Sequence, residues 1–407
     1  VDYAKIYYAR RPLLEKAVKR FLEVGDVKDF EKFAQENQSW LELFAEYMAI
    51  KEHFDNLAWT EWPDAAARAR KASTLESYRE KLADKLVYHR VTQYFFFQQW
   101  LKLKGYANDH HIEIVGDMPI YVAEDSSDMW ANPHLFKTDK NGKATHIAGC
   151  PPDEFSADGQ LWGNPIYDWE AMDKDGYKWW IERLRESFKI YDIVRIDHFR
   201  GFESYWEIPA GSETAAPGKW VKGPDYKLFA AVKEELGDLN IIAEDLGFMT
   251  DEVIELRERT GFPGMKVLQF AFNPEHESID SPHLAPANSV MYTGTHDNNT
   301  VLGWYRDEID DPTREYMARY TNRKEYETVV HAMLRTAFSS VSFMAIATMQ
   351  DLLELDGSAR MNFPSTLGGN WSWRMTADQL TPAVEETLLD LTTIYRRINE
   401  NLVELKK

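Results

Sequence analysis

Apolar positions recur every three or four residues through the first quarter of the chain. Three stretches carry the pattern: RRPLLEKAVKRFLEVG, VKDFEKFAQENQSWLELFAEYMAIKEHF and AARARKASTLESYREKLADKLVYHRVTQYFFFQQWLKLKG. That spacing predicts helices, punctuated by Pro63 and by glycines. After Lys104 the pattern changes. Short apolar runs rich in β-branched residues alternate with amphipathic stretches: HIEIVGDMPIYV, KIYDIVRIDHF, LNIIAEDLG, GMKVLQFAF, SVMYTGTHD and FMAIATMQD. Between them lie YKWWIERLRESFK, DYKLFAAVKEELG, TDEVIELRERTG and EYETVVHAMLRTAFSS, all of helical period. Strand–helix alternation predicts an α/β fold of parallel strands covered by helices, either doubly wound or closed into a (β/α)8 barrel. Six strands are counted where a barrel needs eight. Several runs end in Asp, Glu or His, and a barrel carries its catalytic groups at those strand ends.

The 407 residues include 47 Lys+Arg against 67 Asp+Glu, a net charge of −20. Binding phosphates requires clustered cations, so this balance argues against nucleic-acid and anionic-membrane partners and favours a neutral substrate. A single cysteine, Cys150, excludes an internal disulfide framework and suits a reducing compartment. The start, VDYAKIYYARRPLLEK, shows no signal-peptide pattern, and no apolar stretch approaches the ~20 residues of a spanning helix. The expected location is the cytoplasm. Aromatic residues make up 14% of the chain, either as core or as stacking surfaces for sugars or bases; composition leaves both open.

Some motifs fail on inspection. GSETAAPGKW lacks the spacing of a phosphate loop and has no Ser or Thr after Lys219. DKNGK starts like a calcium loop at Asp139, but its twelfth position is Cys150, where a bidentate Glu is required. HExxH, paired CxxC and GxSxG are all missing, so neither a zinc site nor a serine-hydrolase elbow is supported.

Acids at strand ends carry the chemistry. In IVRIDHFRGF, strand alternation puts Arg195 and Asp197 on one face, where the guanidinium can hold the carboxylate ionised, as a nucleophile requires. A structural Arg–Asp pair is the plainer explanation of that motif alone. In IIAEDLG, Glu244 and Asp245 crowd together, which suits a general acid, while Asp245 could simply cap a helix. MYTGTHDNNT ends in His296 and Asp297, residues that also favour turns. Together, three acid-bearing strand ends point to glycoside cleavage, where one ionised and one protonated carboxyl face a sugar. Trp130, Trp162, Trp206, Trp304, Trp371 and Trp373 are candidate stacking platforms, set against the common fate of tryptophan as core.

Longer motifs then carry a resemblance. GDMPIYVAEDSSDMWANP, AGCPPDEFSADGQLWGNPIYDW, VRIDHFRGFESYWEIPA, AEDLG, PGMKVLQFAF, MYTGTHDNNTVLGW and ARMNFPSTLGGNWSWR occur in order over most of residues 110 to 375. The chain resembles the 4-α-glucanotransferases of the amylomaltase, or disproportionating-enzyme, family, relatives of the α-amylases. The resemblance implies a (β/α)8 TIM barrel of α-amylase type with helical subdomain insertions. Residues 1–85 would form an inserted helical subdomain, and 86–407 barrel strands three to eight with an acceptor-side loop around 148–169. Family members carry an earlier segment holding the first two barrel strands, so this chain is expected to lack them. By resemblance, Asp197 is the nucleophile, Glu244 the general acid/base and Asp297 the transition-state stabiliser. Arg195, His198 and His296 would orient the scissile sugar, and Asp117 would support the same subsite. Asp153, Phe155 and Trp162 would contact the acceptor, and Asn362 a further sugar. The implied substrates are maltooligosaccharides and amylose or starch, with no metal and no cofactor. Two alternatives stand beside this: an α-1,4-glucan hydrolase, and a non-catalytic glucan-binding fragment.

Overall fold

The computed structural model describes residues 1–152 and 157–398. The chain divides into two units, Tyr3–Leu239, and Asn240–Lys407 together with Val1–Asp2.

The first unit begins with the predicted helices, cut into shorter pieces than the apolar spacing implies. The first, Tyr3–Val24, starts at Tyr3 rather than Arg10 and runs through Pro12. The second stretch is two helices, Val27–Glu36 and Gln38–His53. Asn37 separates them because its side chain competes for backbone groups: the amide donates to the Phe33 carbonyl at 2.8 Å, and Oδ1 accepts from the Trp40 indole at 3.1 Å. The third becomes Ala65–Arg68, Ala72–Lys81 and Ala83–Asp109. A division at residue 85 therefore falls inside a continuous helix. Rings join these helices, with Phe33 against Tyr94 at 5.6 Å and against Phe97 at 5.3 Å between centroids.

Among the described residues ten strands follow. In the first unit these are β1 (Val115–Pro119), β2 (His146–Cys150), β3 (Gln160–Pro165), β4 (Ile193–Asp197), β5 (Ser204–Pro209) and β6 (Lys219–Lys222). The second unit holds β7 (Ile241–Ala243), β8 (Gly264–Val267), β9 (Ser289–Tyr292) and β10 (Met344–Ile346). All six predicted runs contain a strand: β1, β4, β7, β8, β9 and β10. Each predicted intervening stretch is helical: Lys178–Ile190, Tyr226–Leu236, Asp251–Thr260 and Val329–Ser339. β1 and β4 pair in parallel with Asp117 opposite Arg195 and Pro119 opposite Asp197. β9 lies between β8 and β10, parallel to both. Burial along β8 and β9 is continuous rather than alternating, as in a sheet covered on both faces.

The remaining four strands form an antiparallel sheet in the order β3-β2-β5-β6, which the sequence reading did not foresee. Within the expected loop around 148–169, residues 148–150 and Gln160–Pro165 are strand. Gly149 is required there, because a Cβ at that position would stand 2.0 Å from the Gln160 carbonyl oxygen. Asp139, rejected as a calcium ligand, instead closes a turn by accepting from the backbone amides of Asn141 and Lys143. In the second unit, Met291 of β9 packs with Val301, Trp304, Val330, Met333 and Leu334. Among the described residues no helix is long and apolar enough to cross a membrane.

Candidate active site

In the first unit the site grows from the ends of β1 and β4. The parallel register sets Asp117 opposite Arg195, and the two-residue side-chain period brings Arg195 and Asp197 to one face. Arg195 uses both arms: Nη1 donates to Asp117 Oδ2 at 2.7 Å and Nη2 to Asp197 Oδ1 at 3.1 Å. The Arg195 side chain is 10% exposed, while those of Asp117 and Asp197 are 46% and 45% exposed. A mostly buried cation thus holds two solvent-facing acids at fixed positions. The same-face pairing read from the sequence is present, and Asp117 joins it across the strands.

His198 follows β4 in the left-handed region, at φ 54°. Its ring meets the Trp162 indole of β3 edge-on, with centroids 4.7 Å apart. Burial, with a smaller contribution from the Arg200 cation, pushes its pKa down to about 3, so the imidazole is neutral at ordinary pH. Gly201 closes the turn: a Cβ there would reach 2.8 Å from Ile120 and 3.1 Å from the His198 ring. Tyr121, which the sequence reading passed over, lies 6.4 Å from Trp162 and stacks on Tyr167 at 5.7 Å. Arg183 fastens this corner by donating through Nη1 to the Ile120 carbonyl at 2.9 Å. Asp153 and Phe155 lie outside the described residues.

In the second unit, Glu244 follows β7 and is half-buried. Its Oε1 accepts from the Leu246 amide at 2.9 Å. Asp245 is not a helix cap, since Thr250 takes that place before Asp251–Thr260. Asp245 is instead buried and accepts from Arg257 Nη1 at 2.5 Å and from the Met265 amide at 2.6 Å. The crowded pair therefore splits into one structural acid and one candidate catalytic acid.

His296 and Asp297 follow β9. Asn362 donates to Asp297 Oδ1 at 2.6 Å, and His296 Nε2 lies 3.4 Å from Asp297 Oδ2. Trp371, in the left-handed region, packs its ring 5.1 Å from that of His296. A pocket of 130 Å³ opens here, lined by His296, Asn298, Asn299, Gln350, Arg360 and Trp371 among others. Arg360 was also passed over; it sits in the quoted ARMNFP motif and donates to the Asp297 carbonyl at 2.6 Å. Among the tryptophans, Trp130 and Trp304 are buried core and offer no platform, whereas Trp371 is 47% exposed. Among the described residues no group of three or more His, Cys, Asp or Glu could hold a metal ion.

The chain is 94% identical over all 407 residues to the 4-alpha-glucanotransferase of Streptococcus pneumoniae serotype 4, spanning 81% of that protein's length. It is 44% identical to the enzyme of that name from Clostridium butyricum, over 98% of this chain and 81% of the relative. Among solved structures it matches amylomaltase from Streptococcus agalactiae with acarbose bound, at 47% identity and TM-score 0.95, covering 98% of this chain and 81% of that one. The amylomaltase of Corynebacterium glutamicum, at 17% identity and TM-score 0.70, shares the fold. The α/β fold is thus the barrel-type fold of these α-amylase relatives, as the sequence implied. A family model described as 4-alpha-glucanotransferase matches residues 1–381, and with the relatives it establishes that the chain belongs to the 4-alpha-glucanotransferase family.

Proposed function

We propose that the chain transfers α-1,4-glucan segments between maltooligosaccharide, amylose or starch chains by a retaining double displacement. Asp197 attacks the anomeric carbon while Glu244 protonates the glycosidic oxygen, forming a covalent glucosyl–enzyme. Glu244, now a base, activates the 4-hydroxyl of an incoming glucan, and the second displacement restores the α linkage. Asp297 faces the positive charge that develops on the sugar ring. Arg195, His198, His296, Asp117 and Asn362 orient that sugar, with Trp162, Asp153 and Phe155 on the acceptor side. The single cysteine favours a reducing, cytoplasmic setting.

The observation that carries this reading is the Arg195 fork. A nucleophile must be held in place toward its substrate, and the mostly buried Arg195, 3.1 Å from Asp197, fixes that carboxyl group beside a cation. The neutral His198 fits a sugar-hydroxyl partner that adds no second cation. In the second unit, the amide of Asn362 and the His296 ring hold Asp297 from two sides, which suits an acid that stabilises without reacting.

The test is Asp197→Asn with maltotriose, products resolved by length. Wild type should give glucose with a ladder of longer maltodextrins. The variant should keep its near-ultraviolet circular dichroism and lose on the order of 10⁴-fold in kcat or more. Undiminished transfer by the variant removes Asp197 from the nucleophile role. Glucose and maltose with nothing longer from wild type makes water the acceptor and the chain a hydrolase.

A further inference from the structure

We propose that Arg360 is a positioning residue for the transfer reaction, setting the place of Asp297 without touching the sugar. The inference rests on the stabilising role given to Asp297 above.

The Arg360 side chain is 16% exposed and all three of its nitrogens are engaged. Nη2 donates to the Asp297 carbonyl at 2.6 Å, Nε to the Asn362 carbonyl at 2.9 Å, and Nη1 lies 3.2 Å from Glu308 Oε1. A guanidinium is planar and rigid, so its three acceptors are held at fixed separations. Two of them belong to the residues whose side chains meet, since Asn362 donates to Asp297 Oδ1 at 2.6 Å. The Asn362 backbone amide also donates to the His296 carbonyl at 3.1 Å. Backbone and side chain of Asp297 are thereby fixed at the same time, from one neighbouring segment.

The outer side of the clamp is braced as well. Glu308 Oε1 accepts from Asn299 Nδ2 at 2.8 Å, so the Arg360–Glu308 pair grips the turn at both Asp297 and Asn299. The Phe363 ring lies 4.4 Å beneath the guanidinium and blocks a shift toward its own side. An acid that stabilises a transition state must stand where charge appears, and a displacement of about 1 Å can cost about 10²-fold in rate. Without Arg360, the Asp297 carbonyl loses its guanidinium partner and the two segments can separate.

The experiment measures kcat and KM for maltotriose in Arg360→Ala, Arg360→Lys and Asp297→Asn, all made in the full chain. Arg360→Ala should lose about 10²-fold in kcat with KM within about threefold of wild type. Added guanidinium at non-denaturing concentration should restore kcat severalfold. Lysine keeps the charge but cannot span both carbonyls, so Arg360→Lys should lose about tenfold; it carries the test if the alanine variant does not fold. A residue that only supported the fold would lower melting temperature and leave kcat per folded molecule unchanged. Wild-type kcat in the Arg360 variants beside a slow Asp297→Asn overturns the inference alone, as does a lost kcat in Arg360→Ala that guanidinium does not restore. Wild-type kcat in Asp297→Asn removes the reading of Asp297 on which the inference stands.

Discussion

His198→Asn isolates the energetic consequence of burying an imidazole beside a cation. The folded pKa is about 3 against an ordinary value of 6.5. Below pH 6.5 the unfolded chain therefore takes up a proton that the folded chain refuses. The sign follows: this contribution to stability is whole above pH 6.5 and is lost as pH falls toward 3. With those two values the loss is about 0.2 kcal/mol at pH 7 and about 1.4 kcal/mol at pH 5.5, a difference of about 1.2 kcal/mol. His198 retains some solvent exposure, so that difference is a ceiling. Asparagine tolerates the left-handed backbone at φ 54°, and any residual strain is the same at both pH values. Urea unfolding of both proteins, followed by tryptophan fluorescence, gives the double difference directly. Wild type should lose up to about 1.2 kcal/mol more than His198→Asn on going from pH 7.0 to 5.5. Equal losses in the two proteins refute a neutral buried His198, and with it the argument that this histidine meets sugar without charge.

Two further substitutions probe the second unit. Asn362→Ala removes the 2.6 Å donor on Asp297 Oδ1 and should lower kcat/KM for maltotriose by roughly ten- to a hundredfold at unchanged stability; a value within twofold of wild type discounts the contact. Asp245→Ala strips the buried partner from a mostly buried Arg257, leaving it only the exposed Glu258 at 3.9 Å, and leaves the Met265 amide unsatisfied, so urea unfolding should show a loss of about 3–5 kcal/mol. A loss below about 1 kcal/mol contradicts the structural role assigned to Asp245.

What the sequence revealed follows from how local each interaction is. Of the six strands read from the sequence, β4, β7, β8 and β9 are mostly buried runs, and such a run needs no partner to be recognised. The four antiparallel strands were missed because HIAGC, QLWGNP, SYWEIP and KWVK mix polar residues, glycine or proline among their apolar ones; only their pairing makes them strands. Asn37 sits within an unbroken apolar rhythm, and one side-chain amide outweighs that rhythm. The site divides along the same line. Arg195 and Asp197 stand two residues apart, so alternation alone puts them on one face, where they meet at 3.1 Å. Asp117 joins them only through the β1–β4 register, 78 positions away from Arg195 along the chain. Arg360 and Asp297 are 63 positions apart, and no periodicity links a loop arginine to a distant carbonyl. A charge at the end of an apolar strand is conspicuous because burial gives it no other reason to be there. A charge in a polar loop such as ARMNFP has many innocent reasons, and only the three acceptors around its guanidinium single it out.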